Sequence, residues 1–574
     1  MLDHPAVSGN IDLRFLLEKT MINIIRFTSI SVLLTVTSLN VAAKSADCTV
    51  VDNIVGYTPV AVAQKLKTFT WLAFADGKIT SVGSAKDAKP KCKLIDGQGN
   101  YALPGLIDAH GHVSGLGYDL LRVKLRGLSS EEISAQTVKD FAANNPNTQW
   151  VLGRGWNQAL WISNEFPTIA SLDATGIERP VFLRRVDGHA GWANSKAIAI
   201  AGITDATPDP LGGKIVRDVH GKATGIFIDN AMALVEGNIP ASSAAELELA
   251  FDKAYEHLLS LGIVSTHDAG VSQADLDSYV MRVNEGKLPV RIYGMLSATS
   301  DRLYAWLKEG RISDDKDFLS VRSVKLYSDG ALGSRGAALL ESYSDDAGNH
   351  GLLLTDPPVL DKLVEDIIAA GFQANIHAIG DNANRISLSA IEKAYIKTDG
   401  HDLRNRIEHT QVVALADFPK FLELNVVASM QPVHATSDKN MAADRIGEDR
   451  LAGAYAWQRF LQQGTVVASG SDFPVELANP FHGLHAAITR QDHDNMPKGG
   501  WLIDEAMTPA QALRSFTLDA AYAAHQEDVL GSLEQGKWAD FILVDQDVIN
   551  GIAVDTWKTK VVQTWIAGEL VYQQ

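Results

Sequence analysis

Short runs of apolar and β-branched residues alternate with stretches of helical periodicity through the middle of the chain. This alternation is typical of βα units that build a parallel sheet. Eight such runs, several followed by helical stretches, predict an α/β fold of the TIM type, a (β/α)8 barrel. The runs occupy residues 101–112, 262–270, 289–296, 320–330, 372–381, 405–413, 425–435 and 464–475.

The two ends of the chain have a different pattern, in which short strand-like runs are separated by turn residues. Near the start, the run WLAFADGKITSVGS is interrupted by the turn pair Asp76-Gly77, and glycines separate similar runs near the end. We therefore expect residues 44–102 and 530–574 to form one small β-sandwich, beside a barrel domain of residues 103–529.

An unusually long stretch, residues 116–258, separates the first two runs of the predicted barrel. A connection of this length must carry structure of its own. We expect an inserted subdomain that follows the first barrel strand and forms a lid over the barrel mouth.

Composition and charge narrow the class of protein. The 574 residues are 46% hydrophobic and 21% charged, which is typical of globular proteins, and the length predicts more than one domain. The formal net charge is −18, and we find no basic cluster that would overcome repulsion from phosphates. No nucleic-acid partner is expected.

Residues 1–43 resemble an N-terminal extension followed by a secretory signal peptide that starts at Met21. Arg26 supplies a positive charge, the following residues are apolar or small, and Val41-Ala42-Ala43 suits cleavage. A membrane anchor is the alternative, but the apolar core of about 15 residues is shorter than the ~20 that a spanning helix needs. We expect an exported, periplasmic protein without a stable membrane span.

The chain has two cysteines, Cys48 and Cys92, and both lie in the predicted N-terminal part of the sandwich. In an exported protein they can form a disulfide. Two separate buried thiols are the alternative, and the sequence leaves both open.

The first candidate chemistry is the His110-Gly111-His112 pair at the end of the first run. Residues i and i+2 of a strand point to the same side, so the two imidazoles project together and can chelate a divalent transition metal. Asp108 lies on that side as well and could orient a metal ligand through a hydrogen bond without itself binding the metal.

Further polar residues end later runs: His377, His409 and Asp472. In a barrel these strand ends meet at the C-terminal face, where active sites lie. A lone histidine is more often a polar core residue, but two at successive strand ends facing one mouth predict metal ligands. Asp472 can bind a metal and act as the catalytic base, or it can merely cap the following helix.

Lys325, at the end of the fourth run, is unexpected beside a metal, because its ammonium would be repelled. Carboxylation of the amine would give an anionic carbamate able to bridge two metals, and a buried lysine with a lowered pKa is the form that reacts. An ion pair between Lys325 and Asp329 is the alternative.

The phrases LPGLIDAHGH, VKLYSDGALGSRGA, ANIHAIGD, RIEHTQ, SGSDFPV and GSLEQGKWADFILVD resemble the amidohydrolase superfamily. More narrowly, they resemble the amidohydrolase 3 group, which contains N-substituted formamide deformylases and uncharacterised metal-dependent hydrolases. The resemblance covers nearly everything after residue 47. It implies a barrel with a β-sandwich, one or two metal ions and metal positions at His110, His112, Lys325, His377, His409 and Asp472.

Four residues outside the ligand set are candidates for substrate binding. His189 resembles a residue that the family carries toward the site, and Arg335 could meet an anionic part of a substrate. Trp156 and Trp192 could line an apolar pocket. Core packing, or a solvated surface arginine in the case of Arg335, is the alternative for each of them.

The expected reaction is hydrolysis of a carbon–nitrogen bond other than a peptide bond, in an amide or formamide-like small molecule, by metal-activated hydroxide. Zinc suits the imidazole-rich set best, although manganese, iron, cobalt and nickel stay open. Ester, lactone or cyclic-amide hydrolysis, or deamination, uses the same chemistry, and a non-catalytic binding protein is the alternative of another class. For the assembly, a homodimer is the base-rate expectation.

Overall fold

The computed structural model describes residues 48–60, 63–186, 188, 190–210 and 213–574. The predicted signal peptide within residues 1–43 and the candidate residue His189 lie outside the described residues. Within the described part of the chain, we find no helix that is both long and apolar enough to cross a membrane.

Eight parallel strands form a nearly closed barrel in chain order, which confirms the predicted fold class. The ends of the sheet approach each other through backbone hydrogen bonds: Asp472 N donates to His110 O at 2.7 Å, and His112 N donates to Phe473 O at 2.8 Å. We call the strands barrel strands 1 to 8, and they are Leu106–Gly111, Ile263–Val271, Arg291–Ser297, Leu319–Tyr327, Gln373–Ala378, Arg406–His409, Val427–Met430 and Val467–Ser469. A short strand, Ile312–Ser313, pairs with strand 4 in antiparallel orientation.

Helices cover the outside of the barrel, and their starts follow the expected capping chemistry. The long helix before strand 2 begins with a capping box, in which the Ser243 side chain accepts from the Glu246 backbone N–H and the Glu246 carboxylate accepts from the Ser243 backbone N–H. The barrel helices are Val113–Leu121, Ala244–Ser260, Gln273–Asn284, Leu303–Glu309, Pro357–Ala369, Asp381–Lys397, Phe418–Glu423, Pro432–Asp438, Ala442–Ile446, Trp457–Gln463, Pro480–Thr489, Pro509–Ser515 and Leu518–Ala523.

Strands from both ends of the chain share one six-stranded sheet, and a four-stranded sheet packs against it. Their common core contains Phe69, Leu72, Phe74, Phe541 and Trp565. This is the predicted β-sandwich built from the two chain ends. In spatial order the larger sheet is Glu569–Gln573, Val561–Ile566, Phe541–Val544, Tyr101–Pro104, Val55–Val60 and Ala63–Phe69, and the smaller is Lys78–Gly83, Trp71–Ala75, Thr49–Asp52 and Lys93–Asp96.

Cys48 and Cys92 form a disulfide within the sandwich. Thr49–Asp52 and Lys93–Asp96 are parallel neighbours, with Thr49 opposite Lys93, so the two sulfurs meet just before both strands begin. Of the two alternatives that the sequence leaves open, the structure has the disulfide.

The inserted subdomain after strand 1 has its own six-stranded sheet and core. Its strands, in spatial order, are Gly213–Arg217, Ala223–Asp229, Ala190–Ala193, Val181–Arg185, Val151–Trp156 and Val123–Lys124, and its helices are Glu131–Asn144, Ile169–Asp173, Ser195–Ile200 and Ala233–Glu236. Short 3₁₀ helices of the chain lie at Gln158–Leu160, Asn230–Met232, His401–Leu403, Leu415–Asp417, Glu448–Gly453, Ile503–Glu505 and Ala553–Lys558.

Candidate metal centre

The imidazoles of His110 and His112 project from the end of barrel strand 1, and each is fixed by a hydrogen bond at Nδ1. His110 Nδ1 lies 2.5 Å from Glu408 Oε2, and His112 Nδ1 lies 2.8 Å from the Ala269 carbonyl oxygen. Because both Nδ1 atoms face acceptors, the proton of each neutral ring lies on Nδ1, and Nε2 points to the barrel mouth with its lone pair. Orientation of this kind is usual for metal-binding histidines.

Asp472 brings a carboxylate to the same point from the end of strand 8. Its Oδ1 atom lies 3.1 Å from His112 Nε2 and 3.6 Å from His110 Nε2. Gly470 permits this approach, because a Cβ there would lie 2.5 Å from the backbone nitrogen of His110. Asp472 itself has a left-handed backbone with φ of 61°, a strained conformation of the type that collects at functional sites.

Asp108 holds strand 1 against the loop after strand 8. Its carboxylate accepts from Ser471 Oγ at 2.7 Å, from Ser471 N at 3.0 Å and from His110 N at 3.1 Å. These contacts agree with the expectation that Asp108 orients a ligand: it binds the backbone of His110 and positions Asp472 through the neighbouring Ser471.

His377 and His409, from strands 5 and 6, complete the histidine cluster. Their ring centroids are 4.6 Å apart, and that of His409 is 4.8 Å from that of His110. Gln431 Oε1 lies 2.8 Å from His409 Nδ1, which leaves Nε2 of His409 for a metal. His377 has a buried Nε2 without a hydrogen-bond partner among the described residues.

Lys325 ends beside the first histidine, with Nζ 3.0 Å from His110 Nε2. The alternative ion pair with Asp329 is absent from the described residues; the Asp329 carboxylate instead accepts the backbone N–H groups of Ala338, Ile379 and Gly380 at 2.8–2.9 Å. Burial lowers the pKa of Lys325 to about 8, which favours the neutral amine more than in water.

The electrostatics favour neutral imidazoles, the form that binds metal ions, at His110, His377 and His409. At His112, burial alone would lower the pKa, but the hydrogen bond to Asp472 and the charge of that carboxylate together outweigh burial and raise it. Burial, and then the charge of Lys325, lowers the pKa of His110 to about 4 and that of His377 to about 3. Burial also holds the pKa of His409 well below its ordinary value. Burial alone would raise the pKa of Asp472, but the hydrogen bond from His112 and the nearby histidines hold it far below its ordinary value.

These donors fit a divalent transition metal. Ligand atoms of His110, His112 and Asp472 lie within 4.8 Å of one another, and so do those of His409, His434 and Asp472. The two groups share the Asp472 carboxylate, and the second contains His434 in place of the predicted His377. Lys325 and His377 border the two groups. All six predicted metal residues therefore meet at the barrel mouth.

Two residues of this site were not found from the sequence, and the first is Glu408. It is fully buried and accepts from His110, while Arg406 Nη2 donates to the same Glu408 oxygen at 3.2 Å. Arg406 also lies 2.9 Å from His267 Nδ1 and donates to the Ala109 carbonyl at 2.6 Å. Two charged residues, 406 and 408, within a buried strand were the available signal.

The second missed residue is His434, in the first turn of the helix after strand 7. Its Nε2 atom lies 3.7 Å from Asp472 Oδ2, and its ring is nearly parallel to that of His409, with centroids 6.0 Å apart. Gln411 Nε2 lies 3.0 Å from His434 Nδ1. If the amide donates there, the proton of the neutral imidazole resides on Nε2, which faces the site as a donor.

Three of the four predicted substrate-binding residues are described, and each has partners within the chain. Trp156 and Trp192 are fully buried in the core of the insertion, where their indole N–H groups donate to the carbonyls of Leu183 and Thr168. The expectation of an apolar pocket is corrected for both, because packing within the subdomain uses their whole surface. Arg335 forms a bidentate ion pair with Asp345, with distances of 2.8 and 3.0 Å. The guanidinium of Arg335 is therefore already paired with a carboxylate of this chain.

Comparison with known proteins agrees with this geometry. The family described as Amidohydrolase family matches residues 93–572. Among relatives, the Protein LONG AFTER FAR-RED 3 of Arabidopsis thaliana is 33% identical over 524 residues, which cover 87% of this chain and 88% of the relative. The N-substituted formamide deformylase of Arthrobacter pascens is 26% identical over 87% of this chain and 94% of its own length.

A solved structure of an uncharacterized metal-dependent hydrolase from Pyrococcus horikoshii superimposes with a TM-score of 0.73. It is 28% identical in sequence, and the match covers 88% of this chain and 99% of that structure. The chain therefore belongs to the amidohydrolase family of metal-dependent hydrolases.

Proposed function

We propose that the protein hydrolyses a carbon–nitrogen bond other than a peptide bond, in a small amide or formamide-like substrate. The observation that carries the proposal is the position of Asp472 Oδ1, 3.1 and 3.6 Å from the two Nε2 atoms of His112 and His110. A base thus stands beside a preorganised metal site. The choice of bond is supported by the relative named as an N-substituted formamide deformylase.

Zinc is the proposed cofactor, because imidazole and carboxylate donors suit it. When bound, the metal lowers the pKa of a water molecule toward ~7 and polarises the carbonyl of the substrate. His110, His112 and Lys325 would hold one ion, and His377 and His409 would hold a second.

The proton transfers are assigned to Asp472. Its carboxylate accepts the proton of the attacking water and delivers it to the leaving nitrogen, so the amine departs neutral. Because the histidines keep the pKa of Asp472 low, the group is ionised and ready as a base at neutral pH. The Nε2–H of His434, on the other side of Asp472, donates a hydrogen bond to the substrate oxygen as negative charge develops there.

Lys325 is proposed to carry a carbamate. Its neutral amine attacks carbon dioxide, a nitrogen–carbon bond forms, and the displaced proton passes to solvent. The product puts an anion in the place of a buried amine 3.0 Å from His110 Nε2, and an anion there would help to hold cations. A Lys325→Ala variant should therefore lose activity, and a short carboxylic acid added to it should restore part.

The test of the proposed function is a hydrolysis screen of the metal-loaded protein against formamides, N-acyl amines and lactones. We expect release of formate or free amine, loss of turnover after chelation and recovery on adding zinc. Turnover of lactones or esters without any amide would overturn the assignment of the bond. A protein with bound metal and no hydrolytic activity on any class would instead support a binding protein.

A further inference from the structure

A cavity of about 350 Å³ lies beside the metal centre, between the first barrel helix, the insertion and the loop after strand 8. It reaches the edge of the site at Gly115 and Pro474. A Cβ at Gly115 would lie 3.3 Å from His112 Cβ and 3.4 Å from Pro474 Cδ, and Pro474 is two residues beyond Asp472. One wall of the cavity therefore continues into the elements that carry two predicted metal ligands.

Three arginines line this cavity: Arg122, Arg154 and Arg184. Arg184 is neutralised by Glu236, with Nη2 2.6 Å from Oε1. Arg122 and Arg154 have no carboxylate within 4.0 Å among the described residues. The guanidinium of Arg122 instead stacks on Tyr118, 5.0 Å from the ring centroid.

The guanidinium of Arg154 is only partly satisfied by hydrogen bonds. Its Nη2 donates to the Val186 carbonyl at 3.1 Å, and its buried Nε has no partner among the described residues. Burial lowers the pKa of both Arg122 and Arg154, which reflects the cost of holding unpaired cations away from water. A bound anion would offset that cost.

The surrounding charges leave a local positive excess. The lining contains two acidic residues, Asp119 and Glu236, and three arginines. Arg126 lies close enough to add a further positive charge, which repels the charge of Arg154. In a chain with a net charge of −18, an excess of positive charge at the edge of the active site is unusual.

We propose that this cavity binds an anionic group of the substrate, a carboxylate or a phosphate, through Arg122 and Arg154. Guanidinium groups bind both anions by paired N–H donors, and the volume suits a small ligand. The bond to be hydrolysed would then lie toward His112 and Asp472, a short distance from the anion. That the anion is part of a substrate rests on the proposed function, whereas the binding itself does not.

The experiment measures binding rather than turnover, so it is independent of the hydrolytic assignment. Succinate and inorganic phosphate are titrated calorimetrically into the metal-loaded full-length protein and its variants. We expect Arg154→Gln and Arg122→Gln each to weaken the favoured anion at least about tenfold, with Arg154→Lys weakened less. Whichever probe binds more tightly identifies the carboxylate or phosphate source.

Two controls separate this site from others. Arg302→Gln removes an exposed arginine paired with Glu309 and should bind both anions like the wild type. His377→Asn tests whether the anion binds at the metal centre instead. The proposal is overturned if both glutamine variants, shown to be folded by circular dichroism, keep wild-type affinity, or if only His377→Asn loses binding.

Discussion

The carboxylate of Glu408 lies 2.5 Å from Nδ1 of His110, although 298 residues separate the two in the chain. Arg406 contacts the same carboxylate, so the contact joins a buried ion pair to a predicted metal ligand. Burial alone would raise the pKa of Glu408, but Arg406 and His110 hold it well below its ordinary value. An ionised Glu408 keeps the proton of a neutral His110 on Nδ1, which leaves the Nε2 lone pair for the proposed metal.

We therefore expect Glu408→Gln to weaken metal binding by roughly 10–100-fold, since the amide is a poorer partner for the imidazole. The variant also leaves Arg406 buried without its counter-charge, so stability should fall by about 3–5 kcal/mol. Competition with a metal chelator and thermal unfolding measure the two effects separately.

The matched control is Glu423→Gln, at the exposed end of the helix Phe418–Glu423. It changes the same chemical group and should alter neither quantity. If Glu408→Gln bound metal as tightly as the wild type, Glu408 would have only a structural role.

Asp472→Asn tests the proposed base. The amide keeps an oxygen that can face a metal but cannot accept the proton of water, so we expect metal content near that of the wild type. Turnover should fall by roughly 10²–10⁴-fold. Elemental analysis and initial rates, measured with zinc in excess, give the two values, and full activity would exclude Asp472 as the base.

His434→Asn, compared with His409→Asn, separates a hydrogen-bond donor from a ligand. If His434 donates from Nε2, its variant should lose about 10²–10³-fold in kcat while metal content is unchanged. The His409 variant should instead lose metal, because Gln431 fixes the His409 ring for coordination. Equal loss of metal in both variants would make His434 a ligand.

Much of the fold, and the meeting of the candidate metal residues at one end of the barrel, could be predicted because both follow from strand periodicity. The polar ends of eight apolar runs define the mouth of a barrel, and alternation brings His110 and His112 to one side. The role of Glu408 was not predicted, because side-chain alternation in a strand would point Glu408 away from the side that its neighbour His409 faces. In the structure, His409 has a φ of 76°, which breaks the alternation and lets both residues face the barrel interior.

The other differences have physical reasons of the same kind. His434 lies within the seventh predicted run, but the strand itself ends at Met430, and the helix that begins at Pro432 carries His434 to the site. Trp156 and Trp192 belong to the core of the insertion, and an apolar residue has the same sequence pattern whether it packs a subdomain or lines a pocket.

The disulfide gives a prediction about stability. Cys48 and Cys92 close a loop of 44 residues, and the entropy that the unfolded chain loses by this closure corresponds to about 4 kcal/mol. Replacing both cysteines by serine should lower the unfolding free energy by about that amount. Chemical denaturation with and without a reductant checks this: the reductant should destabilise the wild type alone, and an equal response of both proteins would contradict the bond.

His525 gives a pH-dependent prediction away from the metal centre. Burial, and then the charges of Arg322 and Arg404, lowers its pKa to about 4 from 6.5. Between these pH values the unfolded chain binds a proton that the folded chain does not, so lowering the pH favours unfolding. The contribution is intact above pH 6.5 and is lost as the pH falls from 6.5 toward 4.

His525→Asn should therefore flatten this part of the stability profile. Asparagine tolerates the φ of 59° at this position and does not titrate in this pH range. It loses the contact between the histidine Nε2 and the Leu403 carbonyl at 3.0 Å, and this loss is the same at both pH values. Relative to the wild type, the variant should gain about 2 kcal/mol between pH 7.5 and pH 4.5, because the ring is only partly buried. Urea unfolding at both pH values measures the difference, with His220→Asn at an exposed position as the control. If the unfolding free energy of both variants changed with pH as that of the wild type does, the burial of a neutral His525 would not contribute to the sensitivity to acid.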